Sequence, residues 1–412
     1  MLDIKFIRDN RELVEKNNIS RNVKIDLTAL LELDKEKNDL VQKTDTLRAE
    51  RNKRSKTKPT EEEISLMKKL GDEIADFEEL MEEKEEALKK VLLKIPNINH
   101  ESVPQGKDDS ENQVIRKNGE PPIFNFQPLE HFDVAHTKEL IDMERGVKVT
   151  GSRFYYLKGK LAVLERAIMQ YALDFMQQRG FELILPPILV KEEAMFGTGF
   201  FPADKKDIYS VNPDEDDLFL IGTSEVPLIY MHSNEILETT HLPMKYVAVS
   251  PCFRRESGSY GKDTKGLFRV HQFYKVEMVV YCTPEQSWRI HEEIIKNEED
   301  FITSLGIHYQ VVNVCSGDLG FPAAKKYDCE GWFPGQGRYR ELTSSSNTTD
   351  YQARRSNIKY KDTEGKRLTV HTLNGTVASD RPLLAIIENF QRADGSVVIP
   401  EVLRKYVHFD VI

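Results

Sequence analysis

The strongest constraint on this chain lies near its start, where no glycine or proline interrupts the run from Asp26 to Lys58. Leu30, Leu33, Leu40 and Leu47 fall on one heptad seam of that run, with Lys37 and Thr44 as its polar positions. Ser55-Lys-Thr-Lys-Pro59-Thr60 then breaks the pattern, and Thr60-Glu-Glu-Glu63 reads as a capping box for a second helix. In that helix Met67, Leu70, Ile74, Phe77, Met81, Leu88, Val91 and Ile95 alternate steps of three and four, with a gap at Lys84, up to Ile95-Pro96-Asn97. Two helices of roughly thirty residues joined by a short turn form an antiparallel hairpin about 45–50 Å long. A hairpin of that length cannot fold back on a small core, so it is expected to project.

The charges on the hairpin are uneven. Arg48, Arg51, Lys53, Arg54, Lys56 and Lys58 crowd the tip, opposed there by Glu50, while the second helix carries Glu78, Glu79, Glu82, Glu83, Glu85 and Glu86. One reading is a solvated coiled coil with ion pairs between its helices. The other is a basic tip that tracks a phosphate backbone and releases counterions. The hairpin by itself does not choose between them.

The whole chain has 412 residues and a net charge of −10, which argues against a uniformly basic nucleic-acid coat and leaves room for a local patch. Its longest apolar stretch, Leu183 to Val190, contains Pro186 and Pro187 and is far too short to cross a bilayer. The first ten residues have no apolar core, so no signal peptide and no membrane partner are expected. Cys252, Cys282, Cys315 and Cys329 have no zinc-ribbon or C-x-x-C spacing. They read as buried, reduced thiols of a cytoplasmic protein, and no zinc is expected.

Residues 101–135 are polar and proline-containing and read as a linker and entry segment between an N-terminal unit, 1–100, with its arm at 26–96, and a larger domain at 136–412. In that domain Leu161–Gln178 and Pro382–Phe390 read as helices. Phe181–Val190, Lys245–Cys252, Val270–Tyr281 and Tyr309–Val314 read as strands. Strands set between long, irregular loops indicate an α+β fold with a mainly antiparallel sheet.

The chemistry concentrates in this second part. There is no G-x-x-x-x-G-K-[ST] and no G-x-G-x-x-G after a strand, so P-loop and dinucleotide folds are disfavoured. Instead Cys252-Phe-Arg254-Arg255-Glu256 leads into the glycine-rich loop Ser257 to Gly266 and then into Leu267-Phe-Arg269-Val270-His-Gln-Phe273-Tyr-Lys-Val-Glu277. Alternation in such a strand–loop–strand brings Arg254, Glu256, Arg269, Phe273 and Glu277 to one end of a sheet. That set suits a nucleotide: forked guanidinium groups for phosphate, a carboxylate for an exocyclic amine, an aromatic face for a base. The plainer reading is a charged surface hairpin.

This stretch resembles motif 2 of the class II aminoacyl-tRNA synthetases in its seryl form. Phe181-Glu-Leu-Ile-Leu-Pro186-Pro, followed by Met195-Phe-Gly-Thr-Gly199, resembles motif 1, the family's dimer interface, and implies a homodimer formed around Pro186. Ile221-Gly-Thr223-Ser224-Glu225 resembles the amino-acid-binding T-x-E loop, and Glu341-Leu342-Thr343-Ser344 the segment that meets ATP and its metal. Thr372-Leu-Asn374-Gly-Thr376 to Arg381 and on to Gln391 resembles motif 3, and the hairpin resembles the family's tRNA-binding arm. The motifs occur in the family's order over almost the whole chain.

The resemblance implies a class II catalytic domain that activates L-serine with ATP and Mg²⁺ and passes it to tRNA(Ser); tRNA(Sec) would be a further use of the same site. Arg254, Arg269 and Arg381 would act on the phosphates. Arg254, Arg255, Glu256, Val270, Phe273, Glu341, Leu342, Thr343, Ser344 and Arg381 would bind ATP, with Glu341 and Ser344 also holding Mg²⁺. Thr223, Ser224, Glu225, Glu277, Asn374 and Thr376 would bind serine. Arg48, Arg51, Lys53 and Arg54 of the arm, with Lys262 and Lys265 of the loop, would meet tRNA.

One departure stands out. Asn374 to Arg381 spans seven steps, one fewer than the family's usual eight, and Asp380 directly precedes Arg381. A carboxylate there is placed to pair with Arg381 and weaken its grip on phosphate. The alternatives are a synthetase homologue that loads a carrier protein, which the arm argues against, and an inactive homologue acting as an RNA-binding or scaffold protein.

Overall fold

The computed structural model describes residues 1–55, 60–257 and 266–412. It divides into two units, Met1–Pro96 and Asn97–Ile412. Lys56 and Lys58 of the hairpin tip, and Lys262 and Lys265 of the glycine-rich loop, lie outside the described residues.

The first unit is built on α1 (Leu27–Arg54) and α2 (Glu61–Leu92), packed as a pair. Asp26 caps α1 by accepting from the N–H groups of Thr28 and Ala29, two of the donors a helix start leaves without partners. The capping box at Thr60 and Glu63 is present in both directions. Leu30, Leu70, Ile74 and Leu88 are buried along the seam. Its polar positions are satisfied across the pair: Thr44 donates to the Met81 sulfur at 3.7 Å, Lys37 meets Glu85 at 3.3 Å, and Lys84 meets Glu36 at 2.6 Å. Such polar seam contacts hold one register at some cost in stability. The tip is less starkly basic than its sequence suggests, because Arg48 pairs across the hairpin with Glu78, besides the pair of Arg54 with Glu50.

The second unit is organised by one eight-stranded sheet. In chain order its strands are β1 (Gln113–Asn118), β2 (Glu182–Ile184), β3 (Met244–Phe253), β4 (Gln272–Cys282), β5 (Tyr309–Asn313), β6 (Lys325–Phe333), β7 (Arg338–Asn347) and β8 (His371–Ser379). They lie in the order β1-β5-β6-β7-β8-β4-β3-β2, antiparallel throughout except for the parallel pair β2–β3. The flanking helices are α3 (Gly159–Gln177), α4 (Glu225–Tyr230), α5 (Pro284–Ser304) and α6 (Asp380–Asn389).

Alternation along β4 explains the layering. Val276, Met278, Val280 and Cys282 enter the main core together with apolar residues of α3, α5 and α6. On the other face Val279 and Tyr281 join a smaller core with Leu228 and Ile229 of α4, while Lys275 and Glu277 line a cavity.

Two sequence expectations change here. Phe181–Val190 is two strands, Glu182–Ile184 and Leu189–Lys191, because Pro186 and Pro187 cannot donate to a ladder. Residues 101–135, read as linker and entry, contain β1, which pairs with β5 at the sheet edge. Among the described residues no helix is long and apolar enough to cross a membrane.

Candidate active site

A cavity of about 470 Å³ opens over the middle of the sheet. Thr223, Glu225, Arg254, Glu256, Arg269, Val270, Phe273, Glu277, Glu341, Leu342, Ser344, Asn374, Thr376 and Arg381 all line it. Residues far apart in sequence therefore share one wall, as the motif reading requires.

Three expected residues do not line it. Ser224 is fully buried at the start of α4. Arg255 turns aside: its N–H donates to the Asp207 carbonyl at 2.8 Å and its guanidinium lies over the Tyr209 ring. Thr343 points through the sheet and donates to Glu298 at 2.6 Å. Consecutive side chains of a strand face opposite ways, so neighbours quoted together in a motif cannot all reach one ligand.

Bulges set which residues share the cavity face. On β7 the register shifts so that Glu341 pairs with Glu330 and Thr343 with Cys329, leaving Leu342 as the extra residue. Glu341 and Ser344, three apart, thereby face the cavity together. On β8 Glu277 pairs with Thr376 but Val276 with Ala378, leaving Val377 extra. This puts Thr376 and Ser379 on the same wall as Asn374.

The acidic end of the cavity has two centres. Glu277 Oε2 accepts from Lys275 Nζ at 2.6 Å and from the Thr376 hydroxyl at 3.0 Å. Glu225 Oε1 accepts from Gln352 at 2.7 Å and from Asn374 at 3.0 Å, and the Glu225 N–H donates to the Thr223 hydroxyl at 3.1 Å. Burial, reinforced by the charge of Glu277, pushes the Glu225 carboxyl up to about 7 against the opposing pull of Gln352, Lys275 and Arg254.

At the other end Arg254 donates from Nε to the Gly222 carbonyl at 3.2 Å and lies near the Phe273 ring. Arg269 pairs with Glu256 at 3.1 Å. Arg381 Nη1 stands 3.0 Å from both the carboxylate and the carbonyl oxygen of Glu341. Burial pushes the Glu341 carboxyl up, but Arg381, Lys326 and Arg254 outweigh it and hold it down to about 2.

The expected pairing of Asp380 with Arg381 is not formed. Asp380 is buried and accepts the Tyr274 N–H at 2.8 Å and the Tyr155 hydroxyl. It opens α6 facing inward, which leaves Arg381 turned to Glu341. The shortened stretch also keeps Thr376 against Glu277.

The sequence reading missed Lys275, Gln352 and Lys326. Lys275 stood within the quoted motif, two residues from Glu277, and alternation alone marks it as a wall-mate. Lys326 lines the cavity 3.2 Å from Asp328. Gln352 carried no local signal.

Residues 1–99 match the seryl-tRNA synthetase N-terminal domain, and residues 209–390 match the class II tRNA synthetase core domain (G, H, P, S and T). The chain is 45% identical to the serine–tRNA ligase of Thermodesulfovibrio yellowstonii over the full length of both. The chain belongs to the seryl-tRNA synthetase family. Among solved members of that family, the Pyrococcus horikoshii seryl-tRNA synthetase complexed with ATP has a TM-score of 0.94 at 44% identity, covering 100% of this chain and 99% of that one. The Naegleria fowleri cytoplasmic enzyme in complex with AMP has a TM-score of 0.90 at 36% identity, covering 100% and 98%. A seryl-tRNA synthetase is a class II ATP-dependent ligase, and the antiparallel sheet and the helical N-terminal region described above belong to that fold.

Proposed function

We propose that this seryl-tRNA synthetase family member joins L-serine to tRNA(Ser) in two steps within the cavity over the sheet. The carrying observation is that two acidic centres, Glu277–Thr376 and Glu225–Asn374, share one cavity with Arg254, Phe273 and Arg381.

In the first step the serine carboxylate attacks the α-phosphorus of ATP, and pyrophosphate leaves. No protein nucleophile is required, so catalysis is positioning and charge stabilisation. Arg254 holds the α-phosphate and the serine carboxylate. Phe273 stacks on adenine, and Glu256, with the Val270 main chain, receives its edge. Arg269 and Arg381 take the outer phosphates. Glu277 accepts the serine hydroxyl, and Glu225 with Thr223 and Asn374 receives the ammonium. A buried carboxylate left without a hydroxyl partner disfavours alanine strongly.

Glu341 and Ser344 are two oxygen donors on one wall, and Glu341 is held ionised, which suits a hard divalent cation that also takes substrate phosphates and water. Mg²⁺ held there would neutralise phosphate charge.

In the second step the seryl group passes to the terminal adenosine of tRNA. Arg48, Arg51, Lys53 and Arg54 on the arm meet the tRNA backbone, where recognition is largely of shape. A homodimer in the cytoplasm completes the reading. Its support is the apolar surface beside Pro186, where Leu185 is 77% exposed and Leu183 and Leu189 are also exposed. The inactive reading rested on the shortened motif 3 stretch; against it, Thr376 stands hydrogen-bonded to Glu277 and Arg381 faces Glu341.

The test is ATP–pyrophosphate exchange without tRNA, with serine, threonine, alanine, cysteine and glycine. Exchange with serine alone is expected. No exchange with any of them, from folded protein, would return the inactive RNA-binding reading.

A further inference from the structure

Asp380 is the first residue of α6 and Arg381 the second. The two side chains diverge: Arg381 faces Glu341, while Asp380 reaches back to the Tyr274 N–H of β4 and to the Tyr155 hydroxyl. Beside it, from α3, stands Glu165, which is 5% exposed. Neither Glu165 oxygen has a donor among the described residues. Glu165, Tyr155 and Asp380 line one cavity, and the carboxyl that acts on Glu165 there is that of Asp380. Two carboxylates in contact and shielded from water cannot both be ionised; with one proton between them the contact becomes a hydrogen bond.

We infer that Asp380 is a positioning residue for Arg381, and that a proton held jointly by Asp380 and Glu165 ties the start of α6 to α3 and β4. This rests on the reading of Arg381 as a phosphate ligand. The geometry gives the tie a route to the site. Asp380 and Phe273 line both the active-site cavity and a second cavity of about 870 Å³ behind the sheet, so a shift at Asp380 moves a wall common to both. Among the described residues, Tyr155, Tyr274 and Glu165 are the titratable groups that face Asp380. Arg166 lines the rear cavity from the exposed side of α3, Tyr406 there donates to Asp174 at 2.6 Å, and Lys275, next along β4, faces Glu277.

Burial pushes both carboxyls up, so the pair keeps its shared proton to higher pH than a carboxyl in water and releases it as pH rises further. Once it has left, two buried negative charges push α3 and α6 apart and loosen Arg381.

The experiment is ATP–pyrophosphate exchange from pH 6 to 10, resolving KM for ATP, KM for serine and kcat. It uses the wild type, Asp380→Ala, Asp380→Asn, Glu165→Gln and Arg381→Ala, with folding checked by circular dichroism. Asp380→Ala should raise KM for ATP about tenfold at every pH, the scale of a small misplacement, with KM for serine little changed. The wild type should lose ATP affinity on the alkaline side. Glu165→Gln and Asp380→Asn, whose amides donate without titrating, should abolish that alkaline rise. An unchanged alkaline rise in both amide variants overturns the proposal, as does an unaltered KM for ATP in folded Asp380→Ala. If Asp380→Ala does not fold, the amide variants decide. If Arg381→Ala leaves KM for ATP unaltered, the phosphate role of Arg381 fails and the inference falls with it. If Arg381→Ala raises KM for ATP while the other variants behave as wild type, only the inference fails.

Discussion

Lys275 Nζ lies 2.6 Å from Glu277 Oε2, and both side chains descend from the same face of β4 into the cavity. Glu277 is 2% exposed, so its charge is tolerated because a cation is built in beside it. Lys275→Met removes that cation and leaves the carboxylate buried. The expected result is a loss of about 3–5 kcal/mol of stability in urea unfolding and a rise in KM for serine well above any rise in KM for ATP. Equal effects on both substrates would mean Lys275 supports the cavity generally and not the amino-acid end.

Glu225 gives a pH prediction with a defined sign. Its folded carboxyl titrates near 7, above the ordinary value of 4.5, so between those values the folded chain binds more protons than the unfolded one. The contribution of this group to stability is highest below the unfolded value and declines as pH rises through about 7. Glu225→Gln should remove that decline, read as the difference in urea midpoint between variant and wild type from pH 4.5 to 8. Serine binding runs the other way: the ionised carboxylate receives the ammonium, so wild-type KM for serine should climb as pH falls below 7. A flat profile in the wild type would remove Glu225 from the ammonium site.

Arg254→Ala should leave the fold intact, because among the described residues the side chain makes one hydrogen bond, to the Gly222 carbonyl, and lies over the Phe273 ring; it should lower exchange by at least about a hundredfold. Near-normal exchange would refute its placement on the α-phosphate.

Replacing Leu33 to Val91 with a short splice should spare serine activation and destroy tRNA charging. A finer version reverses Arg51 and Lys53 to glutamate. Charging should weaken and its salt dependence should become shallower, since fewer phosphates are neutralised. Charging that survives the deletion would remove the arm from tRNA binding.

Leu185→Asp places a charge at the apolar surface beside Pro186. Analytical ultracentrifugation should find a dimer for the wild type and a monomer for the variant. A wild type that sediments as a monomer would overturn the dimer proposal.

What could be read from sequence followed the strength of periodic signals. The arm was legible because α1 and α2 keep one heptad pattern, and Lys37 and Thr44, its weak positions, proved to face the partner helix. Strands β3 and β4 were legible because their inward faces are apolar. Strands β6, β7 and β8 were not, since Lys325-Lys326, Thr343-Ser-Ser-Ser346 and Asn374-Gly-Thr376 spend their outward faces on a polar cavity and lose the alternation that marks a strand. Ser224, Arg255 and Thr343 were assigned by adjacency within motifs; Ser224 stands at the N-cap position of α4, Arg255 is drawn to Asp207 and Tyr209 beyond the end of β3, and the pleat of β7 sends Thr343 to Glu298. Asp380 was misjudged because sequence puts it beside Arg381, whereas its partners, Tyr155, Glu165 and Tyr274, come from elements far away in the chain.

The extra residues at Leu342 and Val377 act as phase shifts in a two-step code. Deleting Val377 would shorten β8 without exchanging its faces: Val377 and Ala378 both enter the core while Thr376 and Ser379 line the cavity, so Ala378 would follow Thr376 in ordinary alternation. Losing a residue from the regular stretch of β8 instead would exchange the faces on one side of the loss. Chains with different numbers of residues between the asparagine and the arginine are therefore better superposed by the side on which each residue emerges than by its position in the row. By the same logic, a single residue gained or lost at the bulge is the tolerated variation in this strand, and one gained or lost in its regular stretch is the damaging variation.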